Sequence, residues 1–127
     1  MYDIDDNALI LVCANHPEVM ALWRFGSTWS GCPTPESDVD LGVLFQHDPD
    51  LDLLCDILLD FQHALGREDI DLIPLNRAGV LLRFEAVSGH PLFRRDLEFV
   101  SGFVSLTARE YEDETAFLQR ALQSRPS

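Results

Sequence analysis

The chain has 127 residues, 46% of them hydrophobic, with 22 acidic against 9 basic side chains and a formal net charge of −13. That length and apolar content suit one domain around one core and speak against disorder. The acidic balance repels phosphate backbones, so direct nucleic-acid binding is disfavoured; it would suit docking on a basic partner, and serves solubility equally well.

The chain opens on "MYDIDDNALILVC", acidic at its start and with only a short apolar run. It lacks the basic start of a signal peptide, and no stretch has enough consecutive apolar residues to cross a bilayer. A cytoplasmic protein without a membrane partner is the expectation. "NALILVCANHPEVMALWRFGS" predicts a helix from Asp6 or Asn7, a break at Asn15-His16-Pro17 and a strand "MALWRFG". Pro17 falls where a helix should stop or a turn begin. "SDVDLGVLF" predicts a buried strand, with Val39, Leu41, Val43 and Phe45 on one face and Asp38, Asp40 and Gly42 on the other.

"DPDLDLLCDILLDFQHALG" has Leu51, Leu54, Ile57, Leu58 and Phe61 at helical spacing, with Asp48 or Asp50 as cap and Gly66 as stop. "DIDLIPL" predicts a short strand between Glu68 and Leu75. "NRAGVLLRFEAVSG" predicts a helix capped by Asn76 and ended by Gly89, and "HPLFRRD" a further short strand. A last helix runs from Leu97 to Gln123, its stripe made by Val100, Val104, Ala108, Tyr111, Leu118 and Leu122. Phe99, Phe103 and Phe117 stand outside that stripe and either finish the core or meet a partner. This order gives a small mixed β-sheet flanked by helices, an α/β (α+β) architecture.

The cysteines Cys13, Cys32 and Cys55 are odd in number and form no C-x-x-C, as in a reduced intracellular protein without a zinc site. His16, His47, His63 and His90 have no metal-ligand spacing and are read as surface residues.

The chemistry concentrates in "FGSTWSGCPTPESDVDLGVLF". Asp38 and Asp40, two apart on a strand, project from one face with backbones roughly 7 Å apart. Two carboxylates so close need a cation between them or a shared proton. Magnesium fits, because it takes oxygen ligands and shares its shell with substrate phosphates. A third carboxylate should come from the neighbouring strand: Asp71 is the candidate and Asp69 the fallback. Upstream, Gly26 lets backbone amides approach a phosphate and Ser27 adds a hydroxyl donor. Trp29 either stacks on a base or packs against its own loop.

Gly-Ser, ten residues, then Asp-x-Asp resembles the signature of the DNA-polymerase-β-like nucleotidyltransferases. With "DIDLIPLNRAGVLLRFEAVSGHPLFRRD" the likeness extends to the minimal, MntA-like branch and spans residues 20–98. The resemblance implies a polymerase-β-like nucleotidyltransferase fold over a single minimal domain, residues 1–127. It implies Asp38, Asp40 and Asp71 as catalytic and metal-binding carboxylates, and Gly26 and Ser27 as triphosphate contacts. Its cofactor would be Mg2+ and its substrate ATP. Relatives of this branch transfer AMP to a hydroxyl of a HEPN-domain (HepT-type) ribonuclease toxin, which silences it. The resemblance therefore implies an antitoxin that AMPylates a hydroxyl, tyrosine first, within a hetero-oligomer. Many relatives read Gly-Ser-x-Ala-Arg-Gly, whereas "GSTWSG" carries Ser30 at the arginine position, so another cation would meet the triphosphate. Arg24, Arg77 and Arg83 are the candidates. Neutralisation by direct binding, and transfer to a small molecule, are the competing functions.

Overall fold

The computed structural model describes residues 4–26 and 38–124; Ser27, Trp29, Ser30 and Cys32 lie outside them. The elements are α1 (Asp6–Ala14), β1 (Val19–Phe25), β2 (Val39–Phe45), α2 (Leu51–Leu65), β3 (Ile70–Pro74), α3 (Val80–Val87), β4 (His90–Arg94) and α4 (Leu97–Gln123). The four strands form one mixed sheet in the order β3-β2-β1-β4. β1 runs antiparallel to both β2 and β4, and β2 runs parallel to β3. A parallel pair needs a crossover, and α2 supplies it.

Local chemistry sets the helix ends. Asp5 accepts a hydrogen bond from the Ala8 amide at the start of α1, and Asp50 one from Leu53 at the start of α2. Of the two candidate caps for α2, Asp50 is the one used. Asp48 instead accepts from Arg77 at 2.6 Å. Gly66 ends α2 at φ 65°, a left-handed conformation that favours glycine. Asp96 caps α4 by accepting from the Glu98 and Phe99 amides.

The sequence expectation fails at α3. Asn76 does not cap it: the helix starts at Val80 behind Gly79, with no side-chain cap bond. The Asn76 side chain is used elsewhere, accepting from the Phe45 amide and donating to the Phe45 carbonyl, both at 2.9 Å. It thus closes the end of β2 as a further backbone residue would. Asn76→Ala leaves both groups of a buried residue unpaired and should cost about 1–3 kcal/mol. A fall in the urea midpoint with unchanged slope checks it.

Both sheet faces are covered. Leu9 and Cys13 of α1 and Ile57 and Phe61 of α2 pack on one face, against Leu22, Val39, Leu41, Val43 and Phe45. On the other, Ala86 of α3 and Val100 of α4 pack against Ala21, Trp23, Phe25 and Leu44. Burial pushes the Cys13 thiol up to about 12, which leaves it protonated and unreactive. Gly42 of β2 lets α3 approach: a Cβ there would lie 3.1 Å from that of Ala86.

Candidate active site

The register of the sheet brings the acidic residues together. Asp40 of β2 is the lateral partner of Asp71 of β3, and on its other side of Phe25, the last residue of β1. Asp40 and Asp71 share a face because cross-strand partners point the same way, and Asp38, just before β2, is near enough for its charge to act on Asp40. α3 packs on this face and adds Glu85. Burial pushes the Asp40 carboxyl above its ordinary range, and the negative charges of Asp71, Asp38 and Glu85 push it the same way.

Gly26 closes the other side. It sits at φ 77°, and a Cβ built on it would lie 2.1 Å from Asp40 Oδ2. The carboxylate therefore occupies space that only glycine leaves open, with the turn backbone directly against it. Gly89 makes a second close approach, since a Cβ there would stand 2.6 Å from the Arg24 carbonyl oxygen. The chain leaving α3 thereby lies against the end of β1. Between these turns and α3 opens a cavity of about 490 Å³, lined by Phe25, Gly26, Leu81, Phe84, Glu85, Ser88, Gly89 and Tyr111. Phe84 and Tyr111 stack in its wall, with ring centroids 3.8 Å apart. The volume lies in the range of small-ligand pockets.

Asp69, the fallback for the third carboxylate, is held by both guanidinium arms of Arg67. Its carboxyl is kept below the usual range, first through that hydrogen bond. Asp71 is thus the member of the pair left facing Asp40. Two participants were not anticipated from the sequence. Glu85 lies in the "LLRFE" stretch, and Arg67, close enough to feel the Asp38 charge, lies two residues before Asp69.

The three anticipated cations are engaged elsewhere. Arg24 pairs with Asp6 of α1 at 3.3 Å, on the opposite sheet face from Asp40. Arg77 pairs with Asp48 beyond the far end of β2, and Arg83 pairs with Glu110 of α4 at 2.7 Å.

The donor set consists of carboxylate oxygens, the ligand type of a hard divalent cation. Among the described residues, no three His, Cys, Asp or Glu side chains close into a ready-made metal cage. Magnesium does not require one, because it commonly uses one or two carboxylates and takes further oxygens from phosphate and water. The repulsion concentrated on Asp40 is what such a cation would relieve. The residues present fit it. No helix among the described residues is long and apolar enough to cross a membrane.

Comparison with known proteins agrees with this geometry. The family model for polymerase beta nucleotidyltransferases matches residues 7–98. No curated protein matches the chain. Among solved structures, a toxin–antitoxin with AMP-PNP is similar at 24% identity over 94% of this chain and 97% of the other, with a TM-score of 0.78. The toxin–antitoxin MntA-HepT is similar at 22% identity over 93% of each chain, with a TM-score of 0.70. A complex of tri-AMPylated Shewanella oneidensis HEPN toxin with MNT antitoxin gives 23% identity, 93% and 92% coverage, and a TM-score of 0.69. Identities at this level establish a shared fold. With the family model spanning most of the residues, the chain belongs to the polymerase beta nucleotidyltransferase family.

Proposed function

We propose that the protein is an antitoxin-type protein adenylyltransferase that moves AMP from ATP to a hydroxyl, tyrosine first, of a cognate HEPN-domain toxin. The observation that carries this reading is the lateral row Phe25–Asp40–Asp71, with Gly26 packed against the Asp40 carboxylate beside an open cavity. Its support for a protein acceptor is the likeness to toxin–antitoxin complexes, one holding an AMPylated toxin.

In this reading the cavity takes the nucleoside of ATP, and the backbone at Gly26, with Ser27, meets the triphosphate. Asp38, Asp40 and Asp71 would hold Mg2+, which supplies charge neutralisation at the reacting phosphates. The acceptor hydroxyl oxygen forms a bond to the α-phosphorus, while the bond from that phosphorus to the bridging oxygen breaks and pyrophosphate leaves. Asp71 takes the hydroxyl proton as the oxygen attacks.

The test is to incubate the protein, ATP and magnesium with the product of the adjacent gene. Intact-mass measurement should show that partner gaining one or more AMP units; an unmodified partner overturns the reading. Direct binding without transfer is the second reading. It is favoured by the ion pairs that already occupy Arg24, Arg77 and Arg83, with Asp6, Asp48 and Glu110. Under it, the Asp38→Asn plus Asp40→Asn variant still neutralises the toxin.

A further inference from the structure

We infer that the C-terminal end of α4 is the docking ridge for the acceptor protein, and that it fits an apolar groove rimmed by basic side chains. The inference deepens the proposed function and rests on it for what the docked protein undergoes.

The course of α4 carries it past the site. Val100 sits beside Trp23 in the middle of β1, and Tyr111 lines the cavity beside Phe25 and Gly26 at the end of that strand. The helix therefore runs along β1 toward the acidic residues and continues beyond them. Residues 112–123 extend it by about 18 Å at 1.5 Å per residue. Over the first half, the apolar stripe is core: Val100 and Thr107 are buried. Over the second, the same stripe leaves the sheet behind. Among the described residues, every position from Phe117 to Ser124 is exposed.

The overhang is nonetheless not a solvated surface by composition. Phe117 is 61% exposed, Leu118 46% and Leu122 63%. With Ala121 they occupy positions i, i+1, i+4 and i+5, so they form one continuous patch rather than scattered contacts. A contiguous apolar patch on an exposed helix marks a binding surface. Its position, starting one to two turns beyond the cavity wall at Tyr111, holds anything seated there next to the site.

Charge selects the occupant. Exposed Glu112, Asp113 and Glu114 stand at the root of the ridge and outweigh Arg120, the one charged side chain among residues 117–124. A second copy of this chain would bring another net charge of −13 against them, which opposes self-pairing. A partner with basic residues around an apolar groove complements both features. Such a helix-in-groove contact takes its energy from a few apolar anchors and its orientation from the rim.

The test is the L118D/L122D double variant, with the product of the adjacent gene as the binding probe. Binding should weaken about a hundredfold, as expected for losing two anchors. In steady state, KM for the partner should rise while kcat at saturating partner is kept. The melting temperature and ATP affinity of the chain should stay at their wild-type values, and rising salt should weaken wild-type binding. Unchanged partner binding overturns the inference. So does a fall in melting temperature with binding retained, which would make the patch an internal packing surface. Self-association of the wild type that the variant abolishes, with partner binding intact, would assign the ridge to a second copy and likewise overturn it. A wild type that binds the partner through this ridge yet transfers no AMP overturns only the transferase reading.

Discussion

Asp40→Asn should reduce AMP transfer on the order of a thousandfold, the scale of losing a group that stabilises transition-state charge. It should do so without unfolding the protein. Asp40 sits against Asp71, Asp38 and Glu85, and burial together with those charges raises its carboxyl above the ordinary 3.8. A raised folded value means that the ionised form strains the native state. The associated stability is fully present below the unfolded value near 3.8 and is lost as pH climbs through the raised folded one. Without divalent cations at neutral pH, the asparagine variant should therefore melt higher than wild type and show a flatter acid-side profile. Added magnesium should reverse the order, stabilising wild type and leaving the variant unmoved. Differential scanning calorimetry across pH, with EDTA and then with magnesium, separates these outcomes. A variant that melts lower than wild type in EDTA would show that Asp40 is held by favourable contacts rather than by crowding.

Gly26→Ala should be less damaging to transfer than Asp40→Asn and worse for the fold. The backbone there has φ 77°, a conformation that costs an L-residue roughly 1–2 kcal/mol. The added methyl would also need the space of Asp40 Oδ2, 2.1 Å away. Asp40 must then swing out of line with Asp71, or the turn must rise from the sheet. Either way the reacting groups shift by an ångström or more, a misplacement worth about a hundredfold in rate. Chemical denaturation and transfer assays on the same preparation check both halves. Wild-type activity in the alanine variant would remove Gly26 from the site.

How legible this was follows from the kind of interaction involved. The Leu51–Leu65 helix carries its period, its aspartate cap and its glycine stop within fifteen residues and their neighbours, and the structure places all three there. The last helix likewise starts behind Asp96 and ends at Gln123, as its pattern indicates. The exposure of Leu118 and Leu122 did not follow, because periodicity gives the angle of a side chain around a helix and not what lies beneath it. Asn76 was misread for a related reason. A polar residue before an apolar run looks like a cap, yet its amide found better partners across space at Phe45. The spacing of Gly26, Asp38 and Asp40 was readable because it lies along one hairpin. Glu85 and Arg67 were not, since their places depend on how α3 docks and how the chain enters β3. The three candidate arginines could not be ranked from the sequence, because their partners lie on other elements: Arg24 alternates with Phe25, the lateral partner of Asp40, and pairs with Asp6 of α1.

The sheet order also fixes where the site is mechanically weakest. Among the described residues β3 is five residues long and outermost, with β2 as its only strand neighbour, whereas β2 and β1 are each flanked on both sides. Asp71 is thus carried by a margin that can peel away while the interior still holds. In the proposed site its fraying would withdraw one of the three acids reversibly. Thermal tolerance of the proposed transfer would then be set by the grip of one outer ladder, and not by the core that melts last.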